Sequence, residues 1–174
     1  MGMSSPTTQR MMAALLNASD RDEMWSGFID EYVHGTDQVG IHLAVLAKPY
    51  LELIMDGIKT IESRFSRNGC APFGCVANGD VVLLKPSGGP VMGFFTVSGV
   101  WELKQRPFEV LHDILVDSGA EICAPEEFYT SLAHRGVEYA TLMHIYGATS
   151  MPFLSIPKRD QRGWVVLRAR RVKV

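Results

Sequence analysis

An α+β fold, one mostly antiparallel sheet forming a small barrel with helices set between its strands, is predicted by three observations. From Ile41 onward the 174-residue chain breaks into short apolar runs separated by turn residues, the pattern of many short strands. Inside that region, Phe108 to Val116 and Pro125 to Ala133 carry apolar residues at helical spacing instead. Residues 1–40 lack the short β-rich runs and read as an acidic helical extension, so the chain divides into that extension and a domain at 41–174.

Met11, Met12, Leu15 and Leu16 mark one short helical face, and Trp25, Phe28, Ile29, Tyr32 and Val33 mark a second helix. Ser19 with Asp22 three positions on resembles a capping box opening that second helix. Ile41 to Ala47 reads as a strand. Pro49 then sits in the first turn of a helix with Leu51, Ile54 and Met55 on one face, ended by Gly57 in a left-handed cap. Lys59 to Phe65 reads as extended and Asn68 to Asn78 as a loop. The Gly79-Asp80 turn leads into a strand at Val81 to Lys85, and Ser87 to Pro90 connects it to an antiparallel strand at Val91 to Leu103. After the two helices, with Gly119 and Gly136 as stops, Tyr139 to Tyr146 fits helix or strand; Met151 to Ile156 and Trp164 to Arg171 return to strand.

Composition excludes several classes. Three irregularly spaced cysteines do not build a secreted disulfide framework, which makes a reducing cytoplasm the default expectation. The longest apolar runs fall short of the roughly 18 residues a membrane span needs, and no secretory leader pattern opens the chain. The formal net charge of −2 hides an asymmetry. Residues 158–174 hold seven bases and one acid, while the rest of the chain is acidic. A basic end on an acidic body predicts either a local anion-binding stripe or an edge strand guarded by Lys and Arg.

The densest chemistry lies in Gly57-Ile58-Lys59-Thr60-Ile61-Glu62-Ser63-Arg64. On a strand, Thr60, Glu62 and Arg64 share a face. Arg64 or Lys59 can hold a phosphate or a developing oxyanion, and Glu62 can accept a proton or orient water. From spacing alone, the same residues also describe a Glu62–Arg64 ion pair on a solvated strand face beside an exposed Lys59.

The run G-x-K-T-x-E-x-R, preceded by a proline-led helix and followed by Gly79-Asp80 and the Gly93 to Val97 strand, resembles the signature of ASCH domains. Lys158-Arg159-Asp160 before Gly163-Trp164 is similar to their closing element. The resemblance covers most of residues 41–174 and leaves 1–40 outside. It implies a PUA-like barrel with a cleft for RNA or a nucleoside- or nucleotide-like ligand, in which Gly57, Lys59, Thr60, Glu62 and Arg64 lie and which Lys158 and Arg159 extend. Lys59 and Arg64 would contact phosphate and Glu62 a base or sugar hydroxyl. It also implies an alternative, a hydrolase using Lys59 and Glu62, because some members are ribonucleases and others amidohydrolases on acylated cytidine nucleosides. In the latter the motif lysine is catalytic. Glu62 stands where they have threonine, and their later glutamate has three candidates here, Glu109, Glu126 and Glu127.

Weaker signals point elsewhere. Cys70, Cys75 and Cys123 lack a zinc-ligand spacing, so no metal site is expected, and nothing in the sequence names a cofactor. His34, His42, His112, His134 and His144 are scattered over different elements. Neither a nucleophile-elbow nor a P-loop motif occurs. Phe65, Phe73, Trp101 and Trp164 border the cleft elements as candidates for base stacking, with core packing the competing role.

Overall fold

The computed structural model describes the backbone of residues 5–104, 108–158 and 161–171, and their side chains except those of 108–111. Helix α1 (Pro6–Leu16) starts where Ser5 accepts a hydrogen bond from the Thr8 amide and Pro6 takes the first position. One turn apart on it, Met11 and Leu15 are fully buried, whereas Leu16 is exposed. The capping box is corrected: Asp22 itself caps α2 (Glu23–Phe28), accepting from the Met24 and Trp25 amides, while Ser19 bonds back to the Leu16 carbonyl. From α2 the chain continues into a π-helix, Ile29–His34.

This N-terminal segment packs on the sheet. Met11, Leu15, Trp25, Phe28 and Ile29 join Ile41, Leu43, Val81, Leu83, Val91 and Val165 in one core. The Trp25 indole donates to the Pro152 carbonyl at 2.9 Å, and Phe28 and Tyr32 pack against Phe94.

Among the described residues six strands follow in the order β2-β5-β4-β3-β1-β6: β1 (Ile41–Leu46), β2 (Ile61–Ser66), β3 (Val81–Pro86), β4 (Val91–Lys104), β5 (Tyr139–Leu154) and β6 (Trp164–Arg168). Every pairing is antiparallel except β1 with β3, and the sheet curls into a half-barrel. The apolar run of β1 and β3 reflects burial on both faces. Leu43, Val81 and Leu83 face the N-terminal helices, while Ala44, Val82 and Leu84 join Phe95, Val97, Met143 and Trp164 in a second core inside the curl. A third core lies between β2, β5 and the helices α4 (Phe108–Asp117), α5 (Gly119–Ile122) and α6 (Glu126–His134).

The short helix α3 (Tyr50–Met55) forms as expected, with Pro49 at its N-cap rather than in its first turn. Tyr139–Leu154 is one long strand, not two elements. Gly147 at φ +62° and the register shifts against β4 let it bend while staying paired. Gly119 opens α5 rather than ending a helix. Among the described residues, no helix is long and apolar enough to cross a membrane.

Candidate functional site

After α3, Gly57 at φ +71° turns the chain so that the Ile58 and Lys59 amides both bond to the Leu53 carbonyl. That turn sends the Lys59 side chain inward. Its Nζ donates to the Ile61 carbonyl at 2.7 Å and the Ile122 carbonyl at 2.6 Å, and it sits 5.5 Å from the Tyr50 ring centroid. Ile122 ends α5 next to Cys123, which adopts φ +58°, a conformation few non-glycine residues take. The turn at Cys123 thus follows directly on the carbonyl that Lys59 uses.

Glu62, on β2, is 3% exposed and Lys59 2%. Glu62 Oε2 lies 3.6 Å from Lys59 Nζ, and Oε1 accepts from Arg64 Nε at 2.8 Å. Arg64 reaches across the opening of the half-barrel, donating to the Val45 carbonyl on β1 at 3.0 Å and the Gly163 carbonyl before β6 at 3.2 Å. Its guanidinium also lies 5.4 Å from the Trp164 ring centroid. Burial pushes the Lys59 amine below its ordinary value, and the Glu62 carboxylate, ranking after burial, opposes that shift. The ion pair that spacing allowed on a solvated face is present, but Glu62 is buried and Lys59 is not exposed.

Lys59, Glu62 and Arg64 line a pocket of about 250 Å³ whose remaining walls include Val45, Ala47, Tyr50, Ile122 and Phe128. Apolar walls around a few converging polar groups are the usual make-up of a small-ligand site. Thr60 is not among its lining residues: the side chain is exposed, and the backbone ties β2 to its neighbours by donating to the Glu121 carbonyl and accepting from the Ile145 amide. Gly57 serves the turn and does not line the pocket. Lys158 lines a neighbouring trough instead, and Arg159 lies outside the described residues. Of the three candidate later glutamates, Glu126 and Glu127 are exposed on α6 and do not line the pocket; the Glu109 side chain lies outside the described set.

The stacking candidates separate as well. Phe65, Phe73 and Trp164 border a second, smaller pocket on the other side of Arg64, with Phe65 packed on Phe128 and Phe73 on Tyr139. Trp101, half exposed, stacks edge-on against His144 and lines neither of these pockets.

Comparison with solved structures bears on the fold. The chain is similar to the crystal structure of ASCH from Zymomonas mobilis, with 17% identity, 74% of this chain and 87% of that one covered, and a TM-score of 0.55. A single-site mutant of the same protein matches at 17% identity, 76% and 91% coverage, and a TM-score of 0.57. The fold is that of an ASCH domain. No family model and no curated protein matches the chain.

Within this ASCH fold lies a second cluster of buried charge that sequence spacing did not reveal. Asp80, fully buried, accepts from the Gly40 amide at 2.6 Å, the Ala77 amide at 2.8 Å and Arg170 at 2.6 Å, and faces His42 Nε2 at 3.1 Å. The Trp164 indole donates to His42 Nδ1, so that nitrogen is the acceptor and Nε2 carries the proton toward Asp80. Burial alone would raise the Asp80 pKa. Hydrogen bonds from His42, Arg170, Gly40 and Ala77 outweigh it and hold the carboxyl below its ordinary range. Asp80 belongs to the Gly-Asp turn, but its partners come from positions 40, 42, 77 and 170, a juxtaposition only the folded sheet creates.

Three bases of the tail have internal partners of the same kind. Arg168 donates to the Tyr32, Val33 and Val39 carbonyls beside the π-helix, Arg170 binds Asp80, and Arg171 pairs with Asp37 at 3.0 Å. These three cations hold the N-terminal segment and the Asp80 turn to β6 and the residues that follow it. Among the described residues, no group of three or more His, Cys, Asp or Glu could hold a metal ion.

Proposed function

We propose that the Lys59–Glu62–Arg64 pocket binds the nucleoside part of an RNA or nucleotide. The observation that carries this reading is a buried carboxylate, held between two cations at the base of an apolar-walled pocket that opens to solvent. A carboxylate in such a place is a strong acceptor for an exocyclic amino group or a ribose hydroxyl. The rings of Tyr50 and Phe128 supply the apolar surface on which a base can lie. The ASCH fold and the resemblance of the G-x-K-T-x-E-x-R run support the same ligand class.

Lys59 and Arg64 are already engaged by carbonyls and by Glu62. This makes them holders of Glu62 more than free phosphate receptors. Binding of a mixed-sequence single-stranded RNA hexamer is expected to weaken tenfold or more in Glu62→Gln and in Phe128→Ala. Unchanged affinity in both variants would overturn the reading.

One observation favours hydrolysis as a second reading. The two carbonyls bonded to Lys59 Nζ match the two N–H groups of a neutral amine, and burial drives the lysine toward that form. Lys59 would then act as a base for water attacking an amide or phosphodiester bond, assisted by Glu62. Turnover of RNA or N-acylated cytidine that vanishes in Lys59→Met supports it; turnover that survives removes Lys59 from the mechanism.

A further inference from the structure

Arg64 is a wall shared by two pockets. The Lys59 pocket lies on one side of it, and on the other lies the smaller pocket bordered by Phe65, Phe73, Tyr139 and Trp164. Ser66 is shared in turn between that second pocket and a third, where Arg67, His134 and Arg135 come together. The three compartments thus follow one another along β2, which stands at one end of the strand order. At a rise of about 3.3 Å per residue, the Arg67 backbone stands roughly 16 Å from that of Glu62, farther than one nucleotide reaches.

The two outer compartments offer different chemistry. At about 170 Å³ the second is smaller than the Lys59 pocket, which suits a base laid against a ring rather than enclosed. Phe65, Phe73 and Tyr139 are half-buried there, so part of each ring faces solvent. Such a surface stacks a base of any identity. The third compartment is cationic, and none of its lining residues is acidic. Arg67 and Arg135 are both exposed, and among the described residues neither side chain has a hydrogen-bond or ion-pair partner; Glu138, exposed near them in sequence, pairs with neither. The Arg67 Cδ lies 3.7 Å from where a Cβ on Gly136 would stand, so its side chain reaches the turn that follows Arg135. His134 and Arg135 end and cap α6, where the helix dipole favours cations. Arg67 comes from the end of β2 and adds like charge to that corner. A phosphate among these groups offsets their repulsion and accepts their N–H bonds.

We infer that single-stranded RNA runs along β2, with one nucleoside in the Lys59 pocket, a neighbouring base against Phe73 in the second pocket, and a backbone phosphate on Arg67 and Arg135. The ligand class is then an oligonucleotide and not a mononucleotide or free nucleoside. The inference rests on the pocket reading above and divides the labour differently from the sequence expectation. Lys59 and Arg64 hold Glu62, and the phosphate contact falls to two arginines outside the G-x-K-T-x-E-x-R run. Arg64, with a pocket on each side, stands between the two bases.

The test measures binding of the four ribonucleosides, their 5′-monophosphates and the mixed-sequence RNA hexamer across a salt series. It compares the wild type with Arg67→Gln/Arg135→Gln, Phe73→Ala, Glu62→Gln and Phe128→Ala. The double arginine variant, altered only at exposed positions, is expected to bind the hexamer about tenfold more weakly and to lose about one to two phosphates' worth of salt dependence. Phe73→Ala should weaken the hexamer about fivefold or more with the salt slope kept. Both should bind nucleosides and monophosphates as the wild type does. Unchanged hexamer affinity in either variant overturns the inference, as does an equal loss for monophosphates and hexamer. Failure of the pocket reading looks different: Glu62→Gln and Phe128→Ala then bind every ligand as the wild type does, whatever the arginine variant shows.

Discussion

Two buried charge clusters stand in this half-barrel, and they differ in one respect that matters. Around Asp80, His42 and Asp80 are wholly excluded from solvent, and the carboxylate has four protein partners. Around Glu62, the carboxylate is nearly as deep, and Lys59, Glu62 and Arg64 together form the wall of a pocket. The first cluster joins β1, the turn before β3 and the segment after β6, and all four acceptor contacts of its carboxylate are taken up inside the protein. The second uses similar chemistry but leaves one side unclosed. Access, not charge or pKa, separates a structural cluster from a candidate binding site here, since burial perturbs residues in both.

The sharpest way to break this contrast is Asp80→Ala. It leaves two amides, the His42 Nε2 proton and the Arg170 guanidinium without their acceptor. Loss of one partner from a buried charged network costs about 3–5 kcal/mol, which for a domain of this size lowers the melting temperature by about 10 °C or more. Urea unfolding monitored by Trp fluorescence reads it directly. A loss under about 1 kcal/mol would mean that the cluster does not hold the sheet. The same residue sets an acid dependence. A folded pKa held below the ordinary 3.8 contributes stability that is present above that value and lost as pH falls through the folded value. The stability gap between wild type and Asp80→Ala should therefore be constant from neutral pH to about 4 and close below that.

Breaking the open cluster should give the opposite balance, a modest loss of stability and a large loss of binding. Arg64→Met removes the Glu62 partner and the bridge from β2 to Val45 and Gly163, at a cost of about 1–3 kcal/mol. RNA affinity should fall at least as far as in Glu62→Gln. Lys59→Met sharpens the comparison through pH. The folded amine has a pKa lowered from 10.5 by burial, so the unfolded chain binds more protons between the folded value and 10.5, and stability rises with pH across that window. Equilibrium unfolding should show this rise in wild type relative to Lys59→Met. Parallel profiles would mean that the amine is no harder to charge in the fold than in the unfolded chain.

Much of the fold was legible because it rests on local signals. The strands at Ile41, Val81 and Val91, the helix capped by Gly57 and the helices before Gly136 all follow from periodicity and turn residues. The long bent β5 was not, because its Gly147 mimics a break that cross-strand pairing with β4 carries through. Within the site, Glu62 and Arg64 meet as strand alternation suggested, and Lys59, whose direction spacing did not fix, joins them. Thr60 does not, since alternation holds only where the chain is already strand, and β2 begins at Ile61. The Asp80 cluster depends on side-chain contacts between residues 38 to 122 positions apart, which no local pattern encodes. Arg168, Arg170 and Arg171 show the same limit: their charge was visible, but not the carbonyls and carboxylates waiting for them.

The mildest perturbation acts at the seam where the half-barrel is left open. A Cβ at Gly163 would stand 3.1 Å from Arg64 Nη1, close enough that the guanidinium must shift by a few tenths of an ångström, and the end of an arginine can do so. Gly163→Ala should therefore cost less than about 1 kcal/mol and leave the Asp80 cluster untouched. Because Arg64 also holds Glu62 at 2.8 Å, its displacement loosens the carboxylate that the pocket presents, so RNA affinity should fall severalfold at nearly unchanged stability. Calorimetric unfolding and binding on the same preparation separate the two effects. A variant that loses stability without losing affinity would mean that Arg64 ties the sheet edges together and has no part in setting Glu62 for the ligand.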